Sequence, residues 1–428
     1  VTPVTPTAAP AKTTDIQGAT QTGKPVFTEG DSRVPMNDDV PATFDDGSTT
    51  KTVDGVGTYT VAADGTVTFV PEKSFVGTAP AVTVVREDKN GTKASATYTP
   101  TVTPVTPTAE DTTSTGKQGQ TQTGKPKFTE GDSRVPMNDD VPATFEDGST
   151  TKTVDGVGTY TVAADGTVTF VPEPSFTGTA PAVTVVREDM NGTKASATYT
   201  PSVTPITITP TDKVSEDVQN VPQTQTPTFD LSNDKTAEIT SKKLVNPATG
   251  QPTDETTVTV AGEGSYTINP TTGAVTFTPE KDFVGTAKGV TVQATATITN
   301  ANGKTATTTS DATYTPTVVP AVPTANPATS KDVQGATQTG TPIFAGTTVQ
   351  VNGEDKAITI KDNSYTLLDN DGNEVTSTPA YAADGTTEIG TYSIDSATGR
   401  VTFTPTDKSY TGVVTPAKVQ AESSNGIK

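Results

Sequence analysis

The sequence predicts an all-β protein built as a tandem array of four small antiparallel β-sandwiches. Three observations predict it. Threonine, a β-branched residue that suits a solvated strand face, supplies 96 of the 428 residues. Apolar residues alternate with threonine at a period of two, and no stretch sustains the 3.6-residue period of a helix. The chain also repeats itself: residues 17–102 match residues 118–203 at 79 of 86 positions.

The repeat spacing is 101 residues, and the string Thr97-Tyr98-Thr99-Pro100 returns at 198–201 and 313–316. A period near 100 is too long for a solenoid or propeller, whose units run about 20–50 residues. It suits independent domains, placed here at 1–104, 105–205, 206–320 and 321–428, the third longer and more divergent.

Each repeat follows one grammar. Gly57-Thr58-Tyr59-Thr60-Val61 reads as a strand with Tyr59 and Val61 on one face. Asp64-Gly65 is a turn, Val67-Thr68-Phe69 the returning strand, and Pro71 its end or an edge. Phe75 and Val82-Thr83-Val84 follow, then a second turn at Asn90-Gly91 and a closing strand through Ala94, Ala96 and Tyr98. The pattern reads as a sandwich. Tyr59, Phe69, Phe75 and Tyr98 alternate with polar residues, which places them in the core.

Residues 7–55 hold few large apolar residues: Ile16, Val26, Phe27, Val34, Met36, Val40, Phe44 and Val53. This composition predicts a long, loosely packed first half with two or three strands, and makes repeats 1 and 2 less stable than repeats 3 and 4. Thr99 to Pro107, Pro201 to Pro210 and Pro316 to Pro327 read as semi-rigid Pro/Thr-rich joints. Four repeats in line would make an elongated rod over roughly 100 Å long.

Composition excludes much chemistry. The chain has no Cys, His or Trp, and 49 acidic against 29 basic residues give a net charge of −20. Disulfides, thiolate nucleophiles and imidazole catalysis are therefore ruled out. The negative charge opposes nucleic-acid binding, and no run of about 18 apolar residues could cross a membrane as a helix. Without Trp, a sugar platform for paired-carboxylate hydrolysis is poorly supplied. We expect no enzyme activity, no catalytic, cofactor-binding or metal site, and no cofactor.

Three candidate chemistries each have a plainer reading. Glu29, Asp31, Asn37, Asp38 and Asp39, repeated at 130–140, and Asp369, Asp371, Asn373 and Glu374 could offer oxygens to calcium. Gly372 does not sit where a calcium loop needs it, so both read as solvated acidic loops. Lys24 and Lys125 could form internal Lys-Asn isopeptide bonds, but Thr226 and Thr341 stand at the equivalent places. Asn90-Gly91-Thr92 and Asn191-Gly192-Thr193 fit the N-glycosylation pattern and read as turns.

Gly57 to Val61, Gly65 to Pro71, Phe75-Val76-Gly77-Thr78-Ala79, Asn90-Gly91-Thr92 and Ala96 to Pro100 together resemble the CshA-type fibril repeat of streptococcal surface proteins, over nearly the whole chain. The resemblance implies the stalk of a cell-wall-anchored fibrillar adhesin of Gram-positive bacteria, an extracellular, peptidoglycan-anchored protein. Its partner would be a host matrix protein such as fibronectin, bound by an N-terminal region outside these residues, and each chain would stand as a monomer within the surface fibril. The alternative is that the repeats themselves bind host matrix or other microbes, with avidity from repetition.

Val1 to Thr7 repeats the joint at 102–108, and Asn425-Gly426-Ile427-Lys428 aligns with Asn90 to Lys93. The closing strand at 94–102 thus has no counterpart in repeat 4, which we expect to be the most perturbed repeat.

Overall fold

The computed structural model describes residues 1–428, with strands throughout and no helix. It forms two compact units: residues 1–206 with 298–306, and residues 207–297 with 307–428.

Repeat 1, in the first unit, shows the pattern. Its strands are β1 (Thr7–Ala9), β2 (Ala11–Ile16), β3 (Gln21–Gly23), β4 (Val26–Thr28), β5 (Thr43–Phe44), β6 (Thr50–Val53), β7 (Gly57–Val61), β8 (Val67–Pro71), β9 (Gly77–Thr78), β10 (Val82–Glu87) and β11 (Lys93–Thr103). One sheet runs β3-β8-β7-β6 and the other β2-β11-β10-β5, with β9 also on β11 and a separate β1-β4 pair. The two sheets close on one core of Tyr59, Val61, Val67, Phe69, Val82, Val84, Tyr98 and Val102, joined by Ala42 and Phe44. Tyr59 and Phe69 stand opposite each other in the β7–β8 register, their ring centroids 4.6 Å apart. The alternation of apolar residues with Thr therefore buries one face of each sheet and wets the other, as expected of a sandwich. The same arrangement recurs in repeat 2 around Tyr160, Phe170 and Tyr199, and in repeat 3, in the second unit, around Tyr266, Phe277 and Tyr314.

The turns use glycine where it was expected, with one refinement. At Asn90-Gly91 only Gly91 has positive φ, at 80°. Its N–H bonds back to the Asp88 carbonyl, which makes a tight turn closed by a left-handed glycine. Gly57 answers a different need, because a Cβ there would lie 2.4 Å from the Val70 carbonyl oxygen on the neighbouring strand.

Three expectations change. First, the sandwich is not wholly antiparallel: β2 pairs with β11 in parallel, from Ala11 opposite Tyr98 to Ile16 opposite Thr103. A parallel pair needs a crossover, and here the entire repeat is that crossover. Second, the first half supplies six short strands rather than two or three, and it buries Phe44 and Ala42 completely. Backbone pairing to the second half holds β2, β3, β5 and β6, while β1 and β4 pair with each other, so their own apolar content understated them. Third, Thr99 to Thr103 is not joint. It continues β11, so the closing strand runs 11 residues, and the Pro100 carbonyl accepts the Ala79 N–H at 2.9 Å. Proline is tolerated there because its missing N–H costs only one bond of the ladder.

The β2–β11 pair is fastened by side chains. The Thr13 hydroxyl meets the Tyr98 hydroxyl at 2.7 Å and donates to Gln21 Oε1 at 2.6 Å. Gln21 Nε2 in turn donates to the Thr101 carbonyl at 3.0 Å. Ser114, Tyr199 and Gln122 repeat this in repeat 2, and Ser215, Tyr314 and Gln223 in repeat 3. Close packing accompanies it, since a Cβ on Gly23 would lie 2.2 Å from the Tyr98 ring.

Repeat 4 departs from this pattern over residues 321–428. Residues 327–333, the counterpart of β2, form no strand, although Gln338–Gly340 and Val401–Pro405 still pair. Tyr392 and Phe403 are only half-buried, whereas Tyr59 and Phe69 are fully buried.

Removing the Tyr98 hydroxyl tests the fastening. Tyr98→Phe in the full chain should lower the stability of repeat 1 by about 1 kcal/mol, the ordinary worth of a side-chain hydrogen bond, read by urea denaturation. Unchanged stability would mean that the Thr13–Gln21 pair holds the strands alone.

Candidate functional site: acidic loops, tyrosine cores and the seam between repeats

The acidic loop of repeat 1 is neutralised by its own cations. Asp31 binds Arg33 at 2.8 Å, Asp38 binds Arg86 at 2.6 Å and Asp39 binds Lys89 at 2.5 Å. Arg33 holds the Asp31 carboxyl down at about 2, and Lys89 lowers that of Asp39. The Asn37 side-chain oxygen accepts the Asp39 N–H. These oxygens point to separate partners instead of converging, and the Arg86 and Lys89 contacts pin the loop to β10 and its turn. In the Asp369 loop, Oδ1 of Asp369 accepts the N–H groups of Asp371 and Asn373, and Glu374 pairs with Lys428. Those oxygens shape the turn.

Lys24 and Lys125 meet carboxylates, not asparagine amides: Asp64 at 2.7 Å and Asp165 at 2.8 Å. The Lys24 ammonium and the Thr66 N–H hold Asp64 well below the usual carboxylate range. All four side chains are about half exposed. An amide cross-link needs the amine against an asparagine amide in a dry site, and neither lysine has one. Here the pairs tie the β3–β4 turn to the Ala63-Asp64-Gly65 turn.

Tyr59 and Tyr98 are fully buried with hydrogen-bonded hydroxyls: Tyr59 donates to the Pro80 carbonyl at 2.8 Å. Phe75 is half-buried against the same core. These aromatics offer no sticky surface.

Repeats 1 and 2, both in the first unit, meet at a built seam. Pro104 to Pro107 links β11 to the next strand, Thr108–Glu110. Val105 in that link is buried, and its N–H is taken by Gln17 Oε1 at 3.2 Å. Gln17 Nε2 donates to the Lys73 carbonyl at 2.8 Å. From repeat 2, Asn191 Nδ2 donates to the Gln17 carbonyl at 3.0 Å, and Arg134 reaches Asp15 at 2.9 Å. Lys73 returns a bond to the Met190 carbonyl at 3.1 Å. Gly18 lets the turn in, because a Cβ there would lie 2.4 Å from Asn191 Oδ1. The Ile16 N–H and then Arg134 lower the Asp15 carboxyl.

Within the second unit, Asn425 Nδ2 donates to the Gln219 carbonyl at 3.2 Å and the Ala321 carbonyl at 3.1 Å. Lys356 pairs there with Asp217. In both units, an Asn-Gly turn sits on the glutamine-bearing end of the preceding repeat.

Sequence reasoning placed the Asn-Gly turns but missed their seats. A signal existed: glutamines four apart at 17 and 21 recur at 118 and 122, 219 and 223, and 334 and 338. Gln17 and Gln219 serve these seams, and Gln21, Gln122 and Gln223 the Tyr98-type network.

With this geometry described, comparison with known proteins places the chain. A family profile described as surface adhesin CshA repetitive domain matches residues 3–102, 104–203, 205–318 and 320–428. The chain belongs to this family of surface adhesin repeats, and so to the proteins displayed at the cell surface. No curated protein matches the chain at a significant level. Among solved structures, protocadherin gamma B2 cadherin domains 3–6 align at 10% identity and a TM-score of 0.31, covering 98% of each chain. The titin I9–I11 tandem aligns at 12% identity and a TM-score of 0.26, covering 74% of this chain and 99% of that one. Mouse cadherin-23 EC22–24 aligns at 12% identity and a TM-score of 0.28, covering 74% and 100%.

The buried tyrosines set a pH limit. Burial pushes the Tyr59 phenol up to about 12 and raises Tyr98, Tyr160, Tyr199, Tyr266 and Tyr314 as well. An unfolded phenol titrates near 10. A folded-state value above the unfolded one means stability present below pH 10 and lost as pH rises through about 12. Urea midpoints measured across that window should fall, and Tyr59→Phe should flatten the fall. A flat profile for the parent chain would contradict the burial.

Proposed function

We propose that these repeats are the spacer of a peptidoglycan-anchored fibrillar adhesin, holding away from the cell wall a ligand-binding region that lies outside these residues. The ligand of that region is a host matrix protein such as fibronectin. The repeats take no part in catalysis.

One observation carries the reading: what recurs in all four repeats is the aromatic pair of the interior and the glutamine pair. The Tyr59-Phe69 pair returns as Tyr160-Phe170, Tyr266-Phe277 and Tyr392-Phe403. The glutamine pair returns four times. The exposed features do not recur. The Asp38–Arg86 pair has a counterpart in repeat 2, Asp139–Arg187, while repeats 3 and 4 lack that acidic loop. A binding face repeated for avidity would have to be present in every repeat, whereas a spacer needs only a common core and common joints.

The mechanical role follows from the same contacts. Repeats 1, 2 and 3 tie their first long strand to their last, so force entering at β2 leaves through the adjacent β11. The parallel ladder between them bears that load in shear. The charge of −20, spread over the repeats, keeps neighbouring chains apart.

A direct binding assay tests this. The full chain, immobilised, should show no saturable binding to fibronectin or to whole microbial cells. Saturable binding at sub-micromolar concentration would overturn the spacer reading in favour of adhesive repeats.

A further inference from the structure

The Asn-Gly turns of repeats 1 and 2 form a natural pair of twins. Residues 88–92 and 189–193 differ only at Lys89 and Met190. Their backbones match: the glycine N–H bonds to the Asp88 or Asp189 carbonyl at 2.9 Å in both. The asparagine N–H bonds to the same aspartate's Oδ1 at 2.9 Å in both, and φ is 80° at Gly91 and 84° at Gly192. What differs is the asparagine side chain. Asn90 is exposed and its amide makes no hydrogen bond, while Asn191 is half-buried with its amide on Gln17 and its oxygen against Gly18.

Asparagine before glycine is the sequence most open to spontaneous deamidation, because glycine has no Cβ to shield its nitrogen. The Gly N attacks the Asn side-chain carbon, Cγ. A new N–Cγ bond forms, the Cγ–Nδ2 bond breaks, and ammonia leaves with the proton from the Gly nitrogen. One water then opens the cyclic imide at either carbonyl to give aspartate or isoaspartate. Nothing is oxidised or reduced, and water is the only co-reactant.

The step requires the side chain to rotate until Cγ faces the following nitrogen. We propose that the seat of Asn191 on repeat 1 shields it from deamidation, with Asn90, whose side chain makes no hydrogen bond, as the reference within the same chain. Asn90 rotates freely. Asn191 must first leave the Gln17 carbonyl and the hollow over Gly18, which parts the seam locally. The protected residue is also the one whose conversion would harm the seam. An aspartate at 191 has no N–H for the Gln17 carbonyl and would set two acceptors face to face.

The test uses the full chain at mildly alkaline pH, well below its melting temperature, sampled over time. Peptide mapping separates the two sites, because one peptide carries Lys89 and the other Met190. Asn90 should convert to aspartate and isoaspartate several-fold faster than Asn191. In urea-unfolded chain the two rates should become equal. Gly18→Ala, whose Cβ takes the place of Asn191 Oδ1, should raise the Asn191 rate towards that of Asn90. Equal rates in the folded chain would overturn the proposal. So would a difference that persists unchanged in urea, since it would then come from Lys89 and Met190. The parent-chain comparison stands even if Gly18→Ala unfolds repeat 1.

Discussion

The pairing of the first long strand of each repeat with its last is the contact on which the rest depends. β2 and β11 lie side by side in parallel, and everything between them in sequence is the crossover. Closing so long a loop costs conformational entropy before any contact rewards it. The ladder and the Thr13–Tyr98–Gln21 network oppose that cost. In residues 321–428, where no strand pairs with the β2 counterpart, residues 327–333 form no strand and Tyr392 and Phe403 stay half-buried.

That closure also prepares the seam. β11 extends to Thr103, which brings the Thr103 carbonyl to the Gln17 N–H at 2.8 Å and Val105 to the Gln17 side chain. Gln17 is thereby fixed with its own carbonyl presented to Asn191. The seam is a handful of polar contacts around one buried valine, and exposed pairs such as Arg134–Asp15 add little energy by themselves. They add direction, because each seat accepts one turn in one orientation.

Much of this was legible in the sequence. Tyr59, Val61, Val67 and Phe69 alternate with polar residues, so the β7–β8 hairpin and its buried face could be read directly. The likeness to a surface adhesin repeat rested on those same strings. The β2–β11 pairing was not legible. Ala11 to Ile16 carries one large apolar residue, and backbone hydrogen bonds to a strand more than eighty residues away leave no local pattern. Thr99 to Thr103 reads as linker because proline and threonine serve joints and edge strands alike. Gln17 and Gln21 were visible as a recurring pair. Their meaning needed the fold, since one faces the seam and the other the closing tyrosine.

The account therefore turns on strand closure, and repeat 4 is the place to test it. Appending the sequence of residues 94–103 after Lys428 supplies a partner strand for residues 327–333. The closed chain should melt at a higher temperature in its least stable transition, and amide exchange at residues 327–333 should slow to the level of 11–16. An unchanged melt, with residues 327–333 still exchanging freely, would show that the closing strand does not order the first half of the repeat.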